Sequence, residues 1–155
     1  MSGTIESKLA ELGLTLPEVV PPLASYAPAV RSGDYVYTAG QLPMVDGKLT
    51  VTGKVGAEVT PEEAKDLAAR CALNALAAIK SVVGDLDKVV RVVKVVGFVA
   101  SASDFTGQPA VVNGASELIG QVFGDKGVHA RSAVGVAVLP IDAPVEIEFL
   151  VEVRD

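Results

Sequence analysis

The segment RSAVGVAVLPIDAPVEIEFLVEV, residues 131–153, holds the two side chains with the clearest chemical potential. Arg131 opens it, and Glu146 follows its Pro-containing turn. A guanidinium is a planar, permanently charged fork whose N–H groups match a carboxylate bidentately. A carboxylate placed beside water is a general base. Together they suit the binding of a small organic acid and the activation of water against it. Side chains alternate along a strand. Arg131 therefore shares one face with Ala133, Gly135 and Ala137, and Ser132, Val134, Val136 and Val138 share the other. The bulky set is expected to pack under helices. The small set leaves room for a ligand or a neighbouring subunit to approach the backbone. The plainer alternative is a rim cation paired with Glu146 or Glu148, worth about 0–1 kcal/mol.

Other reactive side chains have plainer readings. His129 is the single histidine, which makes no metal site, and a strand-end or loop role is expected. Cys71 falls on an apolar helical stripe and reads as core filler. GDKG at 124–127 is a turn, too short for a phosphate loop.

Regular elements must hold Arg131 and Glu146. The two halves of the segment read as strands joined by a turn. Val145, Ile147, Phe149, Val151 and Val153 form an apolar face, with Glu146, Glu148 and Glu152 opposite. Pairing these strands as a hairpin puts Arg131 on the glutamate side. TPEEAKDLAARCALNALAAIKSVVG is the clearest helix: Thr60 suits the N-cap, Pro61 the first turn, and Glu63 a capping box. Its expected buried stripe is Ala64, Leu67, Ala68, Cys71, Ala75, Ala78 and Val82, mostly alanine, which permits close docking on a sheet. Val89 to Ser101 is a β-branched run, the pattern of a central strand covered on both faces. Pro109 to Phe123 has helical spacing, with Val112, Leu118, Ile119 and Val122 facing inward. Ala27–Arg31 and Tyr35–Ala39 read as a hairpin, and a further β-excursion is expected around Asp46-Gly47. Thr4 to Leu12 is a short helix ending at Gly13, followed by the Pro-rich connector LTLPEVVPPLA. The expected class is α+β: one mixed sheet, two main helices on one face, and an extra short N-terminal helix, all in a single domain over 1–155.

Composition narrows the functional classes. The chain has 155 residues, a net charge of −6 and a pI near 4.8, so nucleic acid and anionic membranes are not expected partners. Half the residues are apolar and the mean hydropathy is +0.43, a surplus that points to a subunit interface. A single cysteine and an N-terminus without the apolar core of a signal peptide give a cytoplasmic expectation. The most apolar run, VVRVVKVVGFVAS, is too short and too charged to span a bilayer.

Three blocks carry a resemblance: YTAGQLP, VVNGASELIGQVFG and HARSAVGVAVLPIDAPVEIEFLVEV. In order and spacing they resemble the RidA/YjgF family of enamine and imine deaminases, over residues 24–153. The resemblance implies a chorismate mutase-like fold and a homotrimer with clefts between subunits. It implies that Arg131 binds the substrate carboxylate and Glu146 orients the attacking water. Tyr26, Gly40 and Asn113 match further pocket positions. Two positions depart from the pattern: Ala39 stands where many members have serine, and Ala133 where many have cysteine. Backbone groups at both remain as ligand partners. The implied reaction is hydrolysis of 2-imino acids to 2-keto acids and ammonia, with no metal or organic cofactor. The alternative is a non-catalytic binder of small carboxylates. A ribonuclease fits poorly with the acidic charge and the lack of a basic or aromatic stripe.

Overall fold

The computed structural model describes residues 3–155. The chain opens with α1 (Thr4–Glu11), which has no side-chain cap of its own because Gly3 precedes it. Its first N–H groups are taken instead by Asp87, at 2.8 Å from Thr4 N and 2.9 Å from Ile5 N. Ile5 and Leu9 are buried. The connector then leads to β1 (Ala29–Ser32) and β2 (Tyr35–Thr38), an antiparallel hairpin in register Ser32 to Tyr35. Gly33, at φ +59°, takes the left-handed backbone that this tight turn requires. Val45 and Lys48 bridge around Asp46-Gly47 as the sequence suggests.

The long helix α2 (Pro61–Val83) begins at the expected capping box: Thr60 Oγ1 accepts from Glu63 N–H, and Glu63 Oε1 accepts from Thr60 N–H. Such a cap is worth about 1 kcal/mol. Burial extends from the alanine stripe to Leu73, Asn74, Leu76 and Ile79, because α2 is covered by the sheet on one side and by neighbouring chain on others. Val82, expected inside, is exposed, and Val83 is buried instead.

The strand β3 (Val89–Ala100) leads to α3 (Gln108–Phe123), then β4 (Ala130–Val136) and β5 (Val145–Val153). The sheet order is β1-β2-β5-β3-β4. Only β3 and β4 run parallel, joined by the α3 crossover. Both α2 and α3 lie on one face of this mixed sheet, and that face carries the main core, with Val95, Val99, Val145, Ile147 and Phe149.

Three expectations change here. β4 and β5 are not a hairpin: β5 inserts between β2 and β3, while β4 pairs with the other edge of β3. β3 is an inner strand beside the β4 edge, and its second face is covered only at its C-terminal end, where Phe98 packs on a small second core: Val92, Val95, Gly97 and Val99 are buried while Arg91 and Lys94 are exposed. Third, the two faces of β4 are reversed. Arg131, Ala133 and Gly135 align with Val95, Gly97 and Val99, on the helix side. Val134 and Val138, expected under the helices, are exposed at 44% and 63%. The small residues admit α3. A Cβ at Gly97 would collide with Val112 of α3, and one at Gly135 would come within 2.8 Å of Gln108 Nε2.

Candidate functional site

Arg131 sits at the start of β4, part-buried beneath α3. Its Nη1 donates to Asn113 Oδ1 at 2.7 Å and to Ser116 Oγ at 3.3 Å; its Nη2 donates to the Pro109 carbonyl at 3.4 Å. All three acceptors are neutral and all lie on α3. Arg131 takes no part in the ion pairs found among the described residues. A guanidinium carries five N–H donors, so Nε–H and one N–H of Nη2 remain for a further acceptor. The arrangement is a cation held in place by neutral groups, with its charge uncompensated. Such a group favours an incoming anion.

The support continues behind it. Ser116 Oγ lies 2.8 Å from His129 Nε2, and His129 Nδ1 lies 2.6 Å from the Gly127 carbonyl. The carbonyl can only accept, so Nδ1 carries the proton. In the neutral ring Nε2 then accepts from the Ser116 hydroxyl, whose oxygen accepts from Arg131. Donor directions thus run consistently from Arg131 to Ser116, and from Ser116 through His129 to Gly127. Sequence reasoning missed Ser116. The available signal was its spacing: Ser116 follows Asn113 by three residues, so the two share one helix face. His129 has the strand-end position expected of it, with this bonding role added.

Glu146 occupies the opposite face of the sheet. It belongs to β5, whose alternating burial hides Val145 and Ile147 and leaves Glu146 partly exposed. Residues 39–41 run beside it, with Gln41 and Ile147 exchanging backbone bonds of 2.8 and 3.0 Å. The Glu146 side chain lies across Gly40; a Cβ there would stand 2.7 Å from its Cδ. Burial first, and then the charge of Glu148, lift the Glu146 carboxyl above its ordinary pKa. Beside it opens a cavity lined by Tyr26, Gly40, Gln41, Leu42 and residues of the connector. Tyr26 is half-exposed, and its hydroxyl oxygen accepts from Leu23 N–H at 3.2 Å.

The predicted residues thus fall into two groups. Arg131, Asn113 and Ala133 gather under α3, whereas Tyr26, Gly40 and Glu146 gather beside the connector, with Ala39 next in chain to Gly40. The backbone N–H of Ala39 already donates to the Pro28 carbonyl at 2.8 Å, so it is not free for a ligand. Ala133 lies on the edge strand β4, whose outer backbone groups have no neighbouring strand among the described residues. Arg131 does not share the glutamate face as the sequence suggests, because the strand it pairs with is β3 and not β5. From the registers, Arg131 and Glu146 stand two strands apart across the sheet and three positions apart along it, roughly 14 Å between Cα atoms. Among the described residues no cluster of metal-ligating side chains occurs, and no helix is long and apolar enough to cross a membrane.

The family model described as "YjgF/chorismate mutase-like, putative endoribonuclease" matches residues 6–153. The chain belongs to the RidA/YjgF family. Protein TCP17 of Trypanosoma cruzi is 44% identical to this RidA/YjgF chain, over 99% of it and 97% of TCP17. The crystal structure of Atu1372 from Agrobacterium tumefaciens, a protein of unknown function, superposes with a TM-score of 0.91 at 49% identity; the match covers 97% of this chain and 93% of that one. A 2-iminobutanoate/2-iminopropanoate deaminase of Dermatophagoides farinae is 33% identical over 142 residues, 91% of this chain and 95% of its own.

Proposed function

We propose that this RidA/YjgF protein hydrolyses 2-imino acids, and their enamine tautomers, to 2-keto acids and ammonia. The observation that carries the proposal is the state of Arg131: held by three neutral acceptors on α3, its charge unpaired and donors still open. That is a receptor for a carboxylate. Kinship with an imine deaminase supplies the substrate class. The two groups of residues complete one site when one subunit contributes Arg131 and the next contributes Glu146. Closed head-to-tail contacts of this kind build rings, and a trimer is the form the family resemblance implies.

In the reaction the substrate carboxylate sits on Arg131, with Asn113 and Ser116 fixing the guanidinium. Glu146 of the adjoining subunit takes a proton from water as the water oxygen bonds to C2 of the iminium. The C=N π pair moves to nitrogen and a neutral carbinolamine forms. Glu146 returns the proton to that nitrogen and the C–N bond breaks, releasing ammonia. The hydroxyl oxygen forms the carbonyl and gives its proton to Glu146, which passes it to the departing ammonia as ammonium and is again ionised. Burial suits Glu146 to this role, since a carboxyl with a raised pKa binds the transferred proton more readily. Backbone groups around Gly40 and the edge of β4 orient the imine nitrogen.

The test generates imines with an amino-acid oxidase and follows their loss. Wild-type protein accelerates the loss and Arg131→Ala does not. Equal behaviour of the two proteins would refute the proposal. The absence of side-chain hydroxyl and thiol at Ala39 and Ala133 favours a second reading, a non-catalytic carboxylate binder. Binding of a 2-keto acid by a protein that leaves imine loss unchanged would select that reading.

A further inference from the structure

The cleft beside Glu146 opens to solvent and has a volume of about 240 Å³. Gly40, Gln41, Leu42 and Glu146 wall it from the sheet side; Val20 and Leu23 of the connector wall it from the other. Of its described lining residues only Glu146 carries a charge, and most of the rest are apolar or proline. Beneath this wall Leu42 and Met44 are buried in a small second core, against which the partly buried Val20 packs. The bond from Leu23 N–H to Tyr26 Oη holds the bend of the connector over the opening.

A substrate's carboxylate has no place in this cavity. Nothing cationic lines it, and Glu146 repels an anion. With C2 beside Glu146 and the carboxylate on the guanidinium, the group left to enter is the substrate's own side chain. The volume exceeds the roughly 150 Å³ of a dry apolar cavity that accepts benzene. A methyl or ethyl group would leave most of its apolar wall without contacts.

We infer that the connector is a specificity wall, and that the preferred substrates are 2-imino acids with bulky apolar side chains of leucine, methionine or phenylalanine size. The inference rests on the deaminase reading above. Val20 and Leu23 are the specificity-determining residues. Each buried methylene raises kcat/KM by about fourfold.

The experiment compares imines made from alanine, leucine and phenylalanine, with wild type and the Val20→Ser/Leu23→Ser double variant. Leu23 is 58% exposed and Val20 only borders the small second core, so the change leaves the main core in place. The wild type is expected to favour the leucine-derived imine over the alanine-derived one by at least about tenfold in kcat/KM. The double variant lowers that ratio by about fourfold or more. Hydrolysis of all three imines at a ratio near one, or a ratio that the double variant does not move, overturns the specificity wall while the deaminase reading stands. Calorimetric binding of pyruvate and 4-methyl-2-oxopentanoate supplies the second arm. If no imine is hydrolysed, yet the bulkier keto acid binds more tightly and the double variant erases the preference, the wall stands and the deaminase reading falls. No hydrolysis and no preference overturns both.

Discussion

Arg131 and Glu146 stand on opposite faces of one sheet. Arg131 aligns with the buried Val95, and Glu146 with Phe98, whose parity along β3 is opposite. One chain therefore cannot close both groups on a single small substrate. Shared sites predict complementation between inactive variants. Arg131→Ala and Glu146→Gln proteins are each inactive alone. Unfolded and refolded together at equal amounts, they recover up to about a quarter of wild-type activity, the fraction of randomly assembled sites that take an intact residue from each parent. The measurement is imine loss before and after mixing, and no recovery would argue against sites shared between subunits.

The three acceptors on α3 serve Arg131 by fixing its plane. Arg131→Lys keeps the charge but removes the fork, and KM is expected to rise about 10- to 100-fold. Ser116→Ala removes one neutral acceptor and the link to His129. A smaller rise in KM, within about tenfold, is expected with kcat little changed. Steady-state kinetics that separate the two constants check both variants.

Glu146 should show its burial in two ways. Its carboxyl is lifted above the ordinary glutamate value by desolvation and by Glu148, so activity should fall with decreasing pH at a higher pH than an ordinary glutamate at about 4.3 gives. Glu146→Gln should lower kcat/KM by about 10²–10⁴-fold. For stability the sign is the reverse. A carboxyl whose pKa is raised by folding favours the fold below its unfolded pKa, and that advantage is lost as pH rises through the folded value. The glutamine variant is therefore expected to melt at a higher temperature than wild type at neutral pH, and the gap should close near pH 4. Gly40→Ala should displace the same carboxylate and cost about 10²-fold in rate without unfolding the protein.

Asp87 docks α1 by accepting from the N–H groups of Ile5 and Thr4, and these bonds hold its carboxyl below the ordinary aspartate value. This stabilisation is present above the unfolded pKa of about 3.9 and is lost as pH falls through the lower folded one. Asp87→Ala should cost about 0.5–2 kcal/mol at neutral pH in urea unfolding, with the difference from wild type shrinking in acid.

Gly97 tests the packing of α3 against β3. Alanine there meets the branched Val112 side chain, which has little rotamer freedom in a helix. A loss of about 1–3 kcal/mol is expected, measured by the same unfolding method.

Much of this was legible in the sequence because it depends on neighbours in the chain. The α2 capping box needs only Thr60, Pro61 and Glu63, and the structure has it as expected. The buried face of β5 follows from strict alternation, which local backbone geometry imposes. The two candidate chemical groups, Arg131 and Glu146, stood out by type and by their place in a family-like block. Alternation also grouped Arg131 with Ala133 and Gly135, but it could not say which way that group pointed. That depended on pairing between strands far apart in the chain: β5 enters between β2 and β3, β4 is left on the edge, and α3 crosses over the small residues. Non-local hydrogen bonding set the direction of each face, and no local rule carries that information. The same pairing put the guanidinium and the carboxylate on opposite sides of the sheet, and brought Ser116, His129 and the connector into the neighbourhoods of the groups they support.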